Sequence, residues 1–451
     1  MTDPLRVVGA ESGQRSGPGQ VTLPGPAVPD TWPGTSIGIA ISTRNRRDVL
    51  HRTLRMWDGH LPSGAVLVIV DDASDTLTDD IGPEWSVIRH DYQRGVAMTK
   101  NRCLTELIDA GCEHLFLFDD DCAPTDPDWW IRYVQSPEQH LSWQWTTRPP
   151  WTETHNDGTH WAIGFPRGVM LYVTREVVDK VGGLDAAYGL HGGEHVVWQQ
   201  RIHDAGYGHY PFMDVVGSDW LFWSLDKDQG GTLGSTIPLS ERRQLVEQNS
   251  LLWDHSLTKP PLPIREGQRG VQDWSLGPRL TDTYEGVLDH VLRMRPPGVA
   301  LEFGVGEGHS LRRIADRMFA FGFDSWQGLP EKWRDGFDAG MFACEPPDIA
   351  NTHLVQGLFA DTVPLFDVDQ AGHVGLVHLD ADLYSSTATI LSKLPWQQVF
   401  RPGTYVVFDE WHSYPGCEDH EQRAWREFAS RTGISWSVIG HGPEQWSIRL
   451  I

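Results

Sequence analysis

From Ile37 onward the chain alternates short apolar runs with stretches whose apolar positions recur at helical spacing. IGIAIST is followed by RRDVLHRTLRMW, then by VLVIVDD and WSVIRHD; GVAMTKNRCLTELIDAG reads as a helix stopped at Gly111, and HLFLFDDD supplies a further strand. Strands that alternate with helices predict parallel pairing in a doubly wound α/β sheet, with ligands at the carboxyl ends of the strands. The acids fall at those ends: Asp71 and Asp72 close one strand, and Asp119, Asp120 and Asp121 close another. A second alternation begins with the helical TYEGVLDHVLRM and continues through GVALEFGVGEG, FAFGFDS, HVGLVHLD, TYVVFDE and WSIRLI. Between the two lie a helix-like ERRQLVEQNSLLWDHS and the proline- and glycine-bearing KPPLPIREGQRG, which suits a linker. The pattern predicts two Rossmann-like domains, residues 35–264 with a helical extension at the carboxyl end and residues 265–451. Residues 1–34, rich in Gly, Pro and Ser without periodicity, read as a disordered tail.

Composition agrees with that division. A chain of 451 residues exceeds what one hydrophobic core ordinarily serves. No run of eighteen apolar residues occurs and the amino terminus has no apolar signal core, so a soluble, cytoplasmic protein is expected. The five cysteines are odd in number and include no Cys-x-x-Cys pair; reduced, buried thiols are expected, with neither a disulfide framework nor a zinc site. A net charge of −24 argues against an extended phosphate-neutralising surface, which makes nucleic acid a poor candidate partner. An acidic chain that binds a nucleotide diphosphate needs a counter-charge, and clustered aspartates suggest a divalent cation.

In the first half, Asp119 and Asp121 have the Asp-x-Asp spacing that lets two carboxylates hold one Mg²⁺ or Mn²⁺, with Asp120 as the substitute; a solvated acidic turn is the plainer explanation for such a run taken alone. The surrounding segments STRNR, VIVDDASD, GVAMTKN, FDDDCAP and GGLDAAYGLHGGEHVVWQQRIHDAG together resemble glycosyltransferase family 2 and its relatives with the A-type fold, over about residues 36–225. The resemblance implies a nucleotide-sugar donor, in the first instance a UDP-sugar. Asp71 or Asp72 would contact the uracil or ribose, and Arg44, Lys100 and Asn101 would lie on the donor side. Glu194 would be the catalytic base or an acceptor contact. Where the family has a Glu-Asp pair this chain has Gly192-Gly193-Glu194-His195, similar to the Gly-Gly-Glu element of polypeptide N-acetylgalactosaminyltransferases, which leaves inversion or retention open. A helix-start carboxylate is the structural alternative for Glu194. Arg201 is structural or reaches a phosphate, and His209 is a candidate third metal ligand.

In the second half, Glu302 is followed by Gly304, Gly306 and Gly308 between a strand and a helix. Glycines let the backbone approach a ligand closely, and the G-x-G-x-G spacing favours S-adenosylmethionine over a dinucleotide. Asp324, with Ser325 beside it, ends the next strand where ribose hydroxyls would be met. FGFDSWQGLPE, QGLFADTVP, HLDADLYSST and RPGTYVVFDEWHSYPGC together resemble the macrocin O-methyltransferase family, Mg²⁺-dependent enzymes acting on sugar hydroxyls, over about residues 285–430. The resemblance implies that Asp380 is the first metal ligand and part of the catalytic centre. Asp409 and Glu410 would complete the metal site, Glu410 replacing the family's usual Asp, and Asp361 would approach the adenine. His378 and His412 are candidate bases, with a structural imidazole as the alternative for each, and Asp382 reads as a structural or acceptor-side carboxylate.

These readings combine into a bifunctional enzyme: a metal-dependent glycosyltransferase joined to a metal- and S-adenosylmethionine-dependent sugar O-methyltransferase, with glycan or glycosylated acceptors as partners. The alternative is a sugar O-methyltransferase whose first domain binds glycan without catalysis; a nucleotide-regulated scaffold is a third reading. The methyltransferase resemblance favours self-association. Trp residues in TTRPPWTETHNDGTHW could stack on a sugar ring or pack on their own domain.

Overall fold

The apolar run IGIAIST becomes β1 (Ile37–Thr43), the centre of the first sheet, buried along nearly its whole length because helices and loops cover both faces. This is a computed structural model, and it describes residues 36–76, 81–145, 153–164, 166–229 and 237–451. The stretch read as a tail and residues 146–152 of the Trp-bearing loop therefore lie outside the described residues.

The first sheet contains β1, β2 (Val66–Asp71), β3 (Ser86–Arg89), β4 (His114–Asp119), β6 (His140–Ser142) and β9 (Met170–Thr174). Its order is β3-β2-β1-β4-β9-β6, parallel except at β9, which is antiparallel to β4 and β6. Two small ribbons flank it: β5 (Cys122–Pro124) with β11 (Phe222–Ser224), and β7 (Glu153–Asn156), β8 (His160–Ile163) and β10 (Met213–Val215). One face carries an aromatic core in which Trp57 meets Phe118 edge-on at 4.9 Å and Trp129 at 5.8 Å; the other is covered by the helix Val96–Asp109 through Leu104 and Leu107.

The second sheet contains β12 (Val299–Phe303), β13 (Ala320–Asp324), β14 (Thr352–Gln356), β15 (Val374–Leu379), β16 (Tyr405–Phe408), β17 (Trp436–His441) and β18 (Trp446–Leu450). Its order is β14-β13-β12-β15-β16-β18-β17, with β18 inserted antiparallel between β16 and β17. The chain is thus α/β with two Rossmann-like sheets. All five cysteines are free; Cys103, Cys112 and Cys122 are buried as expected, whereas Cys344 and Cys417 are only half-buried. Among the described residues no helix is long and apolar enough to cross a membrane.

The two sheets share one compact unit, and the linker-like stretch is packed into it. Leu262 pairs with Gly182, Ile264 O accepts from Thr105 Oγ1, and Gly267 N donates to Ile451 O, so the chain passes from the first sheet's surroundings to the second's between residues 264 and 267. First-lobe residues meet the second sheet at the amino ends of its parallel strands. Tyr92 stacks on His373 just before β15, and its hydroxyl donates to Pro402 O just before β16. Arg449 of β18, 1% exposed, donates to Ala186 O at 2.7 Å and Arg94 O at 2.5 Å. The carboxyl ends of the same strands point away from this interface.

Candidate functional site

Register alone aligns the first set of acids. Ser42 of β1 lies beside Asp119 and Thr43 beside Asp71, so the carboxyl ends of β1, β2 and β4 converge. They open into a cavity of about 580 Å³ lined by Arg44, Asp72, Lys100, Asp119, Asp121 and Glu194 among others. Lys100 Nζ donates to Asp119 Oδ1 at 2.7 Å. Arg46, which the sequence did not single out, spans the next two acids, reaching Asp120 Oδ1 at 2.6 Å and Asp121 Oδ2 at 2.9 Å, while Thr43 Oγ1 donates to Asp120 Oδ2 at 2.7 Å. Burial pushes the Asp120 carboxyl up to about 7 and that of Asp121 up to about 6, against the pull of the Arg46 charge. Asp119, with its side chain 36% exposed, and Asp121 offer the hard oxygen donors that suit Mn²⁺ or Mg²⁺, and an ion held by both would take the place of Arg46 on Asp121.

The other first-lobe candidates divide between cavity and scaffold. Asp72 accepts from Arg94 N at 2.6 Å, Gly95 N at 2.9 Å and His90 Nδ1 at 3.0 Å; burial alone would raise its pKa, but the His90 contact and the two N–H groups hold it below the usual carboxylate value. Gly95 is required here, since a Cβ would come 2.2 Å from Gly189 O. Asp71 is fully buried and accepts from Ser74 N and Oγ, and Arg44 donates to the carbonyls of Asp72 and Ala73. Asn101 serves both backbone atoms of Leu184. Arg201 donates to the carbonyls of Val181, Ser256, Lys259 and Pro260. His209 pairs with Glu138 and is not among the residues lining the cavity.

Glu194 opens the helix Glu194–Asp204 and accepts from Gly192 N at 2.7 Å, with His195 Nδ1 at 3.3 Å. Burial would raise its pKa, but the His195 hydrogen bond and the charges of His195 and His191 bring it down to about 2, so it is ionised at neutral pH. Asn249 holds this loop: its amide donates to the carbonyls of Tyr188, His191 and Gly192 at 2.9–3.1 Å. No spacing in the sequence links Asn249 to the Gly-Gly-Glu element 55 residues earlier.

The second set of acids is also placed by register. His378 lies beside Val407 and Leu379 beside Phe408, which brings Asp380 and Asp409 together as the next residues. Among the described residues the one group of three metal-competent side chains with ligand atoms within 4.8 Å of one another is Asp380, Asp409 and Glu410. Burial and mutual repulsion hold Asp380 and Glu410 well above the usual carboxylate value, and Glu410 Oε2 is buried with no hydrogen-bond partner. Acidic oxygens crowded without enough counter-charge fit a hard divalent cation. Glu421, unforeseen from sequence, accepts from Ala381 N at 3.5 Å and Glu410 N at 3.3 Å, tying the two acid-bearing loops together.

Around them, Glu302 is wholly buried and receives His378 Nδ1 at 2.8 Å; His378 Nε2 lies 3.9 Å from Asp409. Burial would lower the His378 pKa, but the Glu302 bond and charge raise it, whereas burial lowers that of His412, which pairs with Ser413. Gly304 is dictated by packing: its φ is +94° and a Cβ would meet Asp380 O at 1.6 Å. Asp324 secures the glycine turn, accepting from Val305 N at 2.9 Å and Gly306 N at 2.8 Å, and its other oxygen accepts from Trp326 N. Gly308 caps the next helix, Ser325 Oγ accepts from Gln327 N, and exposed Asp361 follows β14, the partner of β13.

Residues 348–440 match the family model described as macrocin-O-methyltransferase. The matched stretch lies in the half of the chain that holds the seven-stranded sheet and the glycine turn, and that half is similar to this methyltransferase family. No curated protein sequence matches it. Solved structures similar to parts of it include the mannosyltransferase PcManGT from Pyrobaculum calidifontis with GDP-Man and Mn²⁺, at 17% identity over 38% of this chain and 53% of that chain, TM-score 0.29. The calicheamicin methyltransferase CalS11 is 21% identical over 50% of this chain and 90% of that chain, TM-score 0.30, and GalNAc-T7 with UDP, GalNAc and Mn²⁺ is 14% identical over 49% of each, TM-score 0.35. This chain thus spans about half the length of the mannosyltransferase it matches.

Proposed function

We propose that the chain is a bifunctional transferase, with a glycosyltransferase domain ending near residue 264 and a sugar O-methyltransferase domain beginning near 265. The observation that carries this reading is that each sheet gathers its own acid cluster at the carboxyl ends of its strands, one in a cavity with Lys100 and Glu194, the other beside a glycine turn.

In the first domain, Asp119 and Asp121 would hold Mn²⁺ or Mg²⁺, which would supply positive charge for the diphosphate of a UDP-sugar. Asp72 and Arg44 border the donor side of the cavity, and Lys100 pairs with Asp119 within it. The acceptor hydroxyl oxygen forms the new bond to the anomeric carbon and the bond to the diphosphate breaks; Glu194 takes the hydroxyl proton in an inverting course, or orients the acceptor in a retaining one while the departing diphosphate takes the proton. In the second domain, Asp380, Asp409 and Glu410 would hold a divalent cation, which would supply Lewis acidity toward the sugar hydroxyl, and the glycine turn would hold S-adenosylmethionine as the methyl donor. Glu302 accepts from His378 Nδ1 and raises its pKa, which places the imidazole beneath the acids. His412, neutral at pH 7, is the residue suited to receive the hydroxyl proton. Asp324 fixes the turn that carries Gly304, Gly306 and Gly308 against the cofactor.

One observation favours the alternative, a methyltransferase with a glycan-binding first domain: Arg46 already occupies Asp120 and Asp121. Thermal shift with UDP plus Mn²⁺ and, separately, with S-adenosylhomocysteine tests both readings. Stabilisation by each ligand, with Asp121→Ala losing only the first and Asp380→Asn losing methyl transfer alone, supports two working sites. A response to S-adenosylhomocysteine alone supports the alternative.

A further inference from the structure

A cavity of about 1350 Å³ belongs to neither acid cluster. It shares Arg44, Gln93 and Leu190 with the first-lobe cavity, so the two adjoin. One wall is the helix Leu239–Asn249, through Gln244, Glu247 and Gln248. The other wall is the second lobe, where Arg293, Pro297 and Gly298 precede β12 and Arg317 and Met318 precede β13. At its far end Arg293 and Arg317 also line a smaller recess of about 260 Å³ with Arg313. The adjoining cavities together make a trough that extends from Asp119 and Glu194 along the amino-end face of the second sheet.

Resting on the glycosyltransferase reading of the first lobe, we infer that this trough is the acceptor site of sugar transfer, that it takes an oligosaccharide chain of several units, and that the methyltransferase lobe forms one of its walls. Its volume exceeds the roughly 300–1,000 Å³ typical of a pocket for one small molecule. Its side chains mix amides (Asn45, Gln93, Gln244, Gln248) with carboxylates (Glu241, Glu247) and guanidinium groups, donors and acceptors together, as sugar hydroxyls require. The arginines do not form an unopposed positive track: Arg295 pairs with Glu241 at 3.1 Å, Arg293 donates to Gln248 at 3.1 Å, and Asp316 adjoins Arg317. A nucleic-acid groove needs an excess of cations, and a lipid groove needs apolar walls. The trough lies at the amino ends of β12 and β13, whereas Asp380 and Asp409 lie at the carboxyl ends of β15 and β16, so a sugar in the trough is not in the methylation site.

The test uses the full chain. Titration calorimetry with UDP plus Mn²⁺ reports the donor site. In the presence of both, oligosaccharides of one to six units from mannan, galactan, glucan and N-acetylglucosamine series probe the trough. The expected result is that at least one series binds and that its affinity rises by about tenfold or more from monosaccharide to tetrasaccharide. Gln244→Trp on one wall and Arg317→Glu on the other, both exposed positions, should each weaken the tetrasaccharide by about fivefold or more and leave UDP binding unchanged. The inference is overturned if no series binds a protein that does bind UDP, if affinity stops growing at one unit, or if neither substitution weakens oligosaccharide binding. Chain-length-dependent binding without UDP binding would keep the trough as a glycan site and overturn the donor reading instead.

Discussion

Lys259 Nζ lies 2.7 Å from Asp185 Oδ2, and both side chains are buried at the junction of the two lobes. Ser437 of β17 completes the group, donating to Asp185 Oδ1 at 2.6 Å, and Ser256 Oγ donates to Oδ2 at 2.8 Å. Asp185 belongs to the GGLDAAYG segment that carries part of the glycosyltransferase resemblance, and Lys259 to the stretch that reads as a linker. Both are structural partners of the second sheet.

Removing one member leaves the other charge buried and unpaired. Asp185→Asn or Lys259→Met is expected to destabilise the fold by about 3–5 kcal/mol, and the double substitution by less than the two effects added. Burial would raise the Asp185 pKa, but Lys259 and the hydroxyl donors hold it well below the unfolded value, so the pair's contribution is present above about pH 4 and fades as pH falls through the folded pKa. Urea denaturation of the three variants at pH 7 and pH 3 measures both effects.

The acids of the second site carry the opposite sign. Burial and the neighbouring Asp409 raise the Asp382 carboxyl to about 7, and burial with the neighbouring acids also raises Asp380 and Glu410 well above the usual carboxylate value. A raised folded pKa stabilises the metal-free protein below the unfolded pKa near 4 and ceases to do so as pH rises through about 7. Thermal unfolding in EDTA should therefore shift downward between pH 5 and pH 8, with Mg²⁺ reversing the loss most strongly at the upper end. An equal Mg²⁺ effect at both pH values would rule this account out.

Glu194 owes its low pKa to His195. In His195→Phe the hydrogen bond is gone and burial is unopposed by it, so the acidic limb of the sugar-transfer pH profile should move toward neutrality. An unmoved limb would show that Glu194 ionisation does not govern the reaction.

Gly304→Ala places a methyl group against Asp380 O at a φ of +94°. Backbone strain alone should cost about 1–3 kcal/mol, and S-adenosylhomocysteine binding should fall sharply while UDP binding persists. Calorimetry with each ligand separates the local effect from general unfolding.

The two acid clusters stand at the carboxyl ends of two different sheets, and on the bifunctional reading the intermediate passes between them through solution. An equal mixture of Asp121→Ala and Asp380→Asn proteins should therefore yield glycosylated, methylated product at a rate within about twofold of the wild type at matched active-site concentration. A much slower mixture, followed by mass spectrometry, would point to hand-over within one chain.

Local sequence determined a good deal here. Runs such as IGIAIST and HVGLVHL are apolar enough to be buried on both faces, so they become central parallel strands, and the acids that end such runs are carried to the strands' carboxyl ends. Strand periodicity thereby put Asp119 and its neighbours at a strand end, the methyltransferase resemblance pointed to Asp380 and Asp409, and glycine spacing marked the turn at Gly304. What tertiary structure alone decided involves partners far apart along the chain. Arg46 on the acids, Asn249 under the Gly-Gly-Glu loop, Glu421 between the two acid-bearing loops and the Asp185–Lys259 pair follow no local period. Nor does any run of residues say which end of the second sheet the first lobe covers; that is set by the packing of Tyr92, Arg94 and Ala186 against His373, Pro402 and Arg449, contacts between residues hundreds of positions apart.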